Sequence, residues 1–478
     1  MSVVVASCNL AQLLSGEVIT PTEGELITGS LAIPEYQRPY CWGESQLDKL
    51  WKDYLHYKKN HQENAWYLGS LILHKDPSGI LNIIDGQQRL TSLTLINAIL
   101  NPHQISKYVN NVPYHSPQSQ HQIRSNFQWL LKTLKQSSEP TFSATDVNFT
   151  LVVTDSEDEA YRFFETQNTG GVRLTGSDII KAHHLRSIER QQQNHYARRW
   201  EILGDLNPII NSLLRGRFCN TLRKRDVPSH RKPLLVRSAV VTEFGEMTTI
   251  GPDIAYGRSV SHRTNKQSQG RYLVEQTLEG YELRQPLNTG INTIHYLAYF
   301  QGIQNHFMSP EMDPELAITP EHQNFLQCYQ ELIIPLEGCQ YLKELLDTAL
   351  MLYISQFGEK NLTTALKKLF MVIYSPRVTN EKTVKESTLN TLLDRAPVLD
   401  WIATSYTPEM CFQWLNNYTF DIDIKNIGPD DNSVKKRFIY QVLRYFDIKV
   451  SHDAPAQSLA NEYQYTLQNK IINLSHQD

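Results

Sequence analysis

The sequence of 478 residues lacks the features that identify several common protein classes. Its six cysteines form no C-x-x-C pair, so neither a zinc ribbon nor a disulfide framework is indicated. Its sixteen histidines form no H-E-x-x-H or H-x-H pattern, and no metal site built from protein ligands is expected. No apolar run reaches the roughly 18 residues of a membrane helix, and the first residues lack the positive flank of a signal peptide. We therefore expect a soluble, cytoplasmic protein without membrane contact.

Positive charge is concentrated in one part of the chain, although the formal net charge is -4. Residues 215–271 hold 12 Lys and Arg against 4 Asp and Glu, which gives a local charge of +8. Such a stretch either binds a phosphate backbone or forms a solvated loop, and the sequence does not distinguish the two. The predicted DNA contacts within this stretch are Arg223, Lys224, Arg225, Arg231 and Lys232.

The hydrophobic pattern predicts an α+β protein. Between about residues 31 and 100, short strand-like runs alternate with helical patterns, as in a mixed α/β domain. From about residue 292 to 445 the periodicity is mainly helical. The predicted division is an α/β core with added helices at 1–190, a basic irregular linker or subdomain at 191–290, and a helical domain at 291–478.

The most informative segment is Ile84-Asp85-Gly86-Gln87-Gln88-Arg89, where an apolar strand-like run stops and helical spacing begins. An acid, a glycine, two amides and an arginine at a strand-to-helix turn form a natural pocket for an anion such as a nucleotide phosphate. A structural alternative stays open, in which Asp85 caps the helix, Gln88 bonds back to it and Gly86 permits the turn. That alternative leaves Arg89 unexplained, although an arginine in the first turn of a helix can also pair with a nearby acid without any functional role.

A turn and a helix start are predicted further along the chain. Residues 168–171, with the sequence NTGG, suit left-handed turn conformations. Thr175 and Asp178 then have the spacing of a capping box, which predicts that a new helix begins there.

Four segments, in this order, resemble the DGQQR-motif family. They are IPEYQRPYCW at 33–42, YLGSLIL at 67–73, IIDGQQRLTSL at 83–93 and FFETQNTGGVRLTGSDIIKA at 163–182. Members of this family form the N-terminal part of GmrSD-type modification-dependent restriction enzymes and of related anti-phage proteins, including SspE-type proteins. The resemblance implies a ParB-like α/β core that hydrolyses a nucleoside triphosphate in defence against foreign DNA.

The resemblance also implies roles for individual residues. Arg89 and Arg38 would neutralise phosphate charge, one of the two glutamines would orient a water, and Asp85 would hold a divalent ion or position an arginine. Mg²⁺ is the expected metal, bound through the phosphates of the nucleotide more than through protein ligands. Tyr36 of the YQR segment is a further candidate DNA contact. The expected catalytic residues are Asp85, Gln87, Gln88 and Arg89, and the expected nucleotide-binding residues are Gln37, Arg38, Gly86, Asn168, Gly170 and Gly171.

One departure from the family narrows the expected function. Fused members carry a C-terminal HNH nuclease, whereas the nearest pattern here is Ser451-His452-Asp453-Ala454-Pro455, close to the end of the chain. We therefore expect a nucleotide-hydrolysing sensor subunit that recognises foreign or modified DNA and licenses cleavage by a separate nuclease subunit. Two alternatives remain: a non-catalytic DNA-binding or scaffold protein with nucleotide as a regulatory ligand, and a self-contained nuclease. The sequence also leaves open whether the chain forms a homo-oligomer.

Overall fold

Two structural units make up the chain in the computed structural model. The N-terminal unit comprises Met1–Leu174 with Glu189–Ile202, and the C-terminal unit comprises Thr175–Ile188 with Leu203–Asp478. The predicted division at residues 190 and 290 stays a prediction. The residues that the structure describes are 3–60, 65–103, 114, 116–135, 141–157, 159–160, 163, 175–219, 227–265, 271–309, 311, 319–379 and 384–473.

A five-stranded mixed sheet forms the centre of the N-terminal unit. Its strands are β1 (Val3–Asn9), β2 (Leu31–Ala32), β3 (Trp66–Lys75), β4 (Leu81–Asp85) and β5 (Val147–Thr154). They lie in the order β1-β5-β3-β4-β2. The β1–β5 and β3–β4 pairs are antiparallel, and the β3–β5 and β2–β4 pairs are parallel. The strand that leads into the DGQQR segment is therefore an interior strand of the sheet.

Helices flank this sheet. The helix α3 follows β4 after one residue, and its apolar side chains Leu90, Leu93 and Ile96 recur at helical spacing. They share one buried cluster with Leu71 and Ile83 of the sheet, so the helix packs its apolar stripe on the strands that precede it. The helices of this unit are α1 (Leu10–Ser15), α2 (Glu44–Asn60), α3 (Gln87–Leu100), α4 (Pro117–Lys135) and α6 (Arg190–Ile202). The helix α5 (Gly176–Arg186) lies between α4 and α6 in the sequence but belongs to the C-terminal unit.

The C-terminal unit is mainly helical. It begins with α5, where Thr175 and Asp178 form the predicted capping box. Three π-helical turns, Thr242–Glu246, Tyr329–Ile333 and Gln468–Ile472, extend helices of this unit. Its further helices are α7 (Asn207–Phe218), α8 (Pro233–Val241), α9 (Ile291–Phe307), α10 (Pro320–Cys328), α11 (Gln340–Phe357), α12 (Leu362–Ile373), α13 (Ser375–Thr379), α14 (Glu386–Arg395), α15 (Val398–Ala403), α16 (Pro408–Asn416), α17 (Val434–Tyr445) and α18 (Ala456–Leu467).

A long hairpin interrupts the helices of this unit. β6 (Tyr256–Asn265) pairs with β7 (Arg271–Gly280) in an antiparallel ribbon. The sequence pattern predicted no strand here, because the two segments lack the apolar alternation that marks a strand with one buried face.

The predicted fold class is confirmed. A mixed α/β unit with added helices is followed by a mainly helical region. The three strand-like runs between residues 31 and 84 correspond to β2, β3 and β4. No helix among the residues with described structure is long and apolar enough to cross a membrane.

Candidate functional site

The DGQQR segment forms the turn between β4 and α3. Gly86 is the residue before the helix and has a left-handed backbone with φ +94°. A Cβ atom at this position would lie 2.0 Å from the Cδ2 atom of Leu71, so both the backbone and the packing require glycine. No side chain caps this helix start, and the capping alternative for Asp85 and Gln88 is therefore not found.

Asp85 and Arg89 form an ion pair across the turn. One terminal nitrogen of the Arg89 guanidinium, Nη2, lies 3.1 Å from the Asp85 carboxylate and donates to the Ser70 carbonyl at 2.9 Å. The other, Nη1, donates to the Leu68 carbonyl at 2.5 Å. Both carbonyls belong to β3, where the pairing with β5 shifts register between Tyr67 and Ser70. Arg89 therefore ties the first turn of α3 to an irregular stretch of the neighbouring strand.

The conformation of β3 makes room for this guanidinium. Gly69, between the two accepting carbonyls, has φ +88°, and a Cβ atom there would lie 2.8 Å from Arg89 Nη1. The glycine of the YLGSLIL segment is thus matched to the arginine of the DGQQR segment, a relation that the sequence analysis did not identify.

Gln88 is buried and holds the chain at residues 39–42. Its Oε1 accepts from the backbone N–H groups of Cys41 and Trp42 at 2.9 and 3.2 Å. Its Nε2 donates to the Pro39 carbonyl at 3.0 Å. Since the carbonyl oxygen and the amide nitrogen are both engaged, Gln88 acts as a fixed link between α3 and the segment that covers the turn.

Gln87 is also buried but keeps one atom unpaired. Its Nε2 donates to the Arg38 carbonyl at 2.8 Å, whereas its Oε1 has no hydrogen-bond partner within the described ranges. Gln37 reaches in the opposite direction, and its Nε2 donates to the Ile84 carbonyl at 3.1 Å. The YQR and DGQQR segments are therefore joined by reciprocal amide-to-backbone bonds.

A buried polar cluster supports the covering segment from the side of α4. Asn126 donates to the Trp42 carbonyl at 2.6 Å and to the Tyr40 hydroxyl at 3.1 Å. The same hydroxyl lies 2.8 Å from the Ser92 hydroxyl, and the Tyr40 N–H donates to Ser119 at 2.9 Å. Sequence reasoning missed these residues; only Ser92, one helical turn after Gln88, had a position that could have suggested a role.

Arg38 brings a positive charge to the edge of this cluster. Its side chain is half-buried. Burial raises the pKa of Tyr114, and the nearby charge of Arg38 partly opposes that rise. Tyr114 stands against Tyr40, with 6.2 Å between the ring centroids. The charge of Arg38 thus lies close enough to act on Tyr114, whereas Asp85 and Arg89 form their ion pair in the turn itself.

The remaining predicted residues lie elsewhere or outside the described structure. Tyr36 is buried, with 5% of its surface exposed. Arg231 and Lys232 belong to the C-terminal unit, where Lys232 precedes α8. Asn168, Gly170, Gly171, Arg223, Lys224 and Arg225 lie outside the described residues.

The turn does not offer a set of protein ligands for a metal ion. Asp85 is the one carboxylate in the DGQQR segment, and it is paired with Arg89. Over the parts of the chain with described structure, no group of three or more His, Cys, Asp or Glu side chains could hold a metal. The DGQQR segment therefore supplies one carboxylate that could contact a divalent ion, and that carboxylate is already paired with Arg89.

Family models match two parts of the chain. Residues 22–185 match the family model described as "GmrSD restriction endonuclease, N-terminal domain". Residues 192–429 match a family of unknown function, DUF7834. No curated protein matches the chain. The first match covers the YQR segment, β3, the β4–α3 turn and most of α5. Over residues 22–185 the chain is therefore similar to the GmrSD restriction endonuclease N-terminal domain, which relates it to restriction systems.

Proposed function

We propose that this chain is a nucleoside triphosphate-hydrolysing sensor component of a restriction or anti-phage system. It recognises foreign or modified DNA and licenses cleavage by a separate nuclease. The family match supports the restriction role. The buried, unpartnered Oε1 atom of Gln87 is the single observation that carries the hydrolytic role.

The two glutamines divide their tasks in this proposal. A buried acceptor without a donor costs free energy, and a water or ligand donor at Gln87 Oε1 removes that cost. A glutamine that orients an attacking water does so through such an acceptor. Gln88 has no acceptor to spare, because its Oε1 already receives two backbone N–H groups. We therefore assign water orientation to Gln87 and a positioning role to Gln88.

Phosphate charge would be met by the start of α3 and by Arg38. The first N–H groups of a helix have no partner within it and carry partial positive charge. Arg89 adds a full charge in the same helical turn, but its bonds to β3 make it a fixed source of charge rather than a mobile finger. Mg²⁺ supplies charge neutralisation and orientation of the phosphates when it is bound with the nucleotide.

The test is phosphate release from ATP and GTP, measured with Mg²⁺ in the presence and absence of phage DNA. Gln87→Ala removes one hydrogen bond and the proposed water acceptor. We expect at least a tenfold loss of turnover, together with the loss of stability that goes with one buried hydrogen bond, about 1–3 kcal/mol. Arg89→Ala should also abolish turnover. Gln457→Ala, at an exposed position in α18, is the matched control and should leave turnover unchanged. Equal release by the original chain and Gln87→Ala would refute the proposal.

A second candidate is a DNA-binding or scaffold protein that uses nucleotide as a regulatory ligand. The observation in its favour is that Gln88 and Arg89 are both committed to backbone groups, as structural links would be. This candidate predicts that nucleotide raises the unfolding temperature without release of phosphate. Measurement of both quantities on the same preparation separates the two functions.

A further inference from the structure

A cavity in the C-terminal unit combines positive charge with stacked aromatic rings. It has a volume of about 640 Å³, within the range of small-molecule sites. It lies where the end of α7, the turn before α8 and the starts of α11 and α14 meet. Among the described lining residues, Arg215, Arg231 and Lys385 contribute three cations, against one carboxylate from Glu386.

Arg215 is a largely buried cation whose ion pair with Glu344 is long. Its side chain is 13% exposed, and both terminal nitrogens lie 3.5 Å from the same oxygen of Glu344. Strong bonds between a guanidinium and a carboxylate are shorter, about 2.7–2.9 Å. A buried charge with such weak compensation is stabilised by an anion that enters the cavity.

The aromatic part of the lining is held in a fixed arrangement. The rings of His230 and Tyr341 stack with centroids 5.8 Å apart and an angle of 30°. Glu386 accepts from Ser229 Oγ at 2.6 Å, from the His230 N–H at 3.1 Å and from His230 Nδ1 at 3.0 Å. These bonds orient the imidazole. They also engage both oxygens of the Glu386 carboxylate with donors from the protein. The His230 side chain nevertheless stays 54% exposed.

The geometry points to a binding site for one nucleoside phosphate unit in this cavity, with the base on the His230–Tyr341 pair and the phosphate at Arg215 and Arg231. Aromatic faces stack on every nucleobase, and arginine is suited to phosphate through its planar set of donors. A free nucleotide and a residue of single-stranded DNA present this same chemistry. The site belongs to the C-terminal unit and does not depend on hydrolysis at the β4–α3 turn.

The experiment is calorimetric titration of the full chain with deoxyadenosine monophosphate, a short oligodeoxyadenylate and inorganic phosphate. Tyr341→Leu removes the stacking ring and should weaken binding of the nucleotide or oligonucleotide about tenfold. Arg231→Gln, at an exposed position, should weaken it as well and reduce its salt dependence by about one phosphate contact. Tyr406→Leu and Arg395→Gln are matched controls at exposed positions outside the cavity lining and should bind as the original chain does.

The titrations also identify the source of the nucleotide unit. Saturable binding of the monophosphate supports a free nucleotide, and binding of the oligonucleotide alone supports DNA. Loss of affinity in Tyr341→Leu and Arg231→Gln, with no loss in Tyr406→Leu and Arg395→Gln, assigns the bound unit to this cavity and not to the turn in the other unit. The proposal is overturned if neither probe binds, if inorganic phosphate binds as tightly as the monophosphate, or if Tyr341→Leu and Arg231→Gln bind normally.

Discussion

The guanidinium of Arg89 lies 3.1 Å from the carboxylate of Asp85, and the same guanidinium holds two carbonyl groups of β3. The pair therefore joins three consecutive elements of the N-terminal unit: the end of β4, the start of α3 and the middle of β3. The proposed role in nucleotide chemistry would rest on the same two residues, so variants at either one would change both stability and the proposed activity. Stability and turnover must accordingly be measured together.

Arg89→Lys tests the structural part of this arrangement. Lysine keeps the charge but cannot span two carbonyls and a carboxylate with a planar fork. We expect the free energy of unfolding to fall by about 2 kcal/mol, as for the loss of one or two hydrogen bonds to a charged group. Urea unfolding measures the change. Arg198→Lys, on the exposed side of α6, is the control. An equal loss of stability in the two variants would show that the bonds from Arg89 to Asp85 and β3 do not stabilise the fold.

Gly86→Ala tests the turn itself. The substitution forces alanine into a left-handed conformation and drives its Cβ against Leu71. We expect a loss of at least about 2 kcal/mol from backbone strain and overpacking together. Gly79→Ala is a matched control, because Gly79 has φ +84° but no atom within 4 Å of the added Cβ. It should show the strain alone.

The double variant Gly86→Ala/Leu71→Ala separates the two contributions. Removal of the Leu71 side chain makes room for the added methyl group. The double variant should therefore lose less free energy of unfolding than the two single variants lose together. Strict additivity in urea unfolding would show that the contact with Leu71 contributes nothing to the glycine requirement.

Asp76 should make stability depend on acid pH. Burial favours its neutral form, but hydrogen bonds from Ser78 and Ile80, with a contribution from Arg190, outweigh burial and lower the pKa of Asp76 from 3.8. The unfolded state then binds more protons than the folded state in acid. The contribution of Asp76 is present above about pH 4 and is lost as pH falls through the lowered pKa.

The measurement is the urea midpoint of the original chain and of Asp76→Asn between neutral and acid pH. We expect the variant to be less stable by about 1–2 kcal/mol at neutral pH and the two curves to converge in acid. Asp48→Asn, at an exposed ion pair, supplies the comparison. A difference that stayed constant across the whole range would contradict the assignment.

Lys368 should make the free energy of unfolding depend on pH in the alkaline range. It is 1% exposed, and its Nζ donates to Asn416, Ile471 and Ile472. Burial lowers the pKa of Lys368 to about 8, whereas an unfolded lysine has a value of about 10.4. Between these values the unfolded state binds more protons, so the free energy of unfolding rises with pH.

Comparison with Lys368→Met isolates this contribution. The variant leaves three acceptors without their donor and should be less stable throughout. Its deficit should widen by up to about 3 kcal/mol as pH rises from about 8 to 10.4. Lys470→Met, at an exposed position, should show no such trend. A stability deficit of Lys368→Met that narrowed with rising pH would contradict a lowered pKa of Lys368 in the folded state.

Local patterns account for what could be predicted from the sequence. The β4–α3 turn and the start of α5 depend on residues within a few positions of one another, and both were located correctly. β1 and β5 were not predicted, since β1 acquires its partner from residues more than 130 positions away. The roles of Gln87 and Gln88 were likewise inaccessible, because their partners lie 46 to 49 positions earlier in the chain and are backbone groups.

The amide bonds from Gln87 and Gln88 have a consequence for how this domain diverges. Their partners are the carbonyl groups of Arg38 and Pro39 and the N–H groups of Cys41 and Trp42. A backbone N–H or carbonyl group survives most substitutions of its own residue. The exposed side chain at position 41 can therefore change among relatives without loss of these bonds, while the two glutamines preserve the path of the chain above the turn.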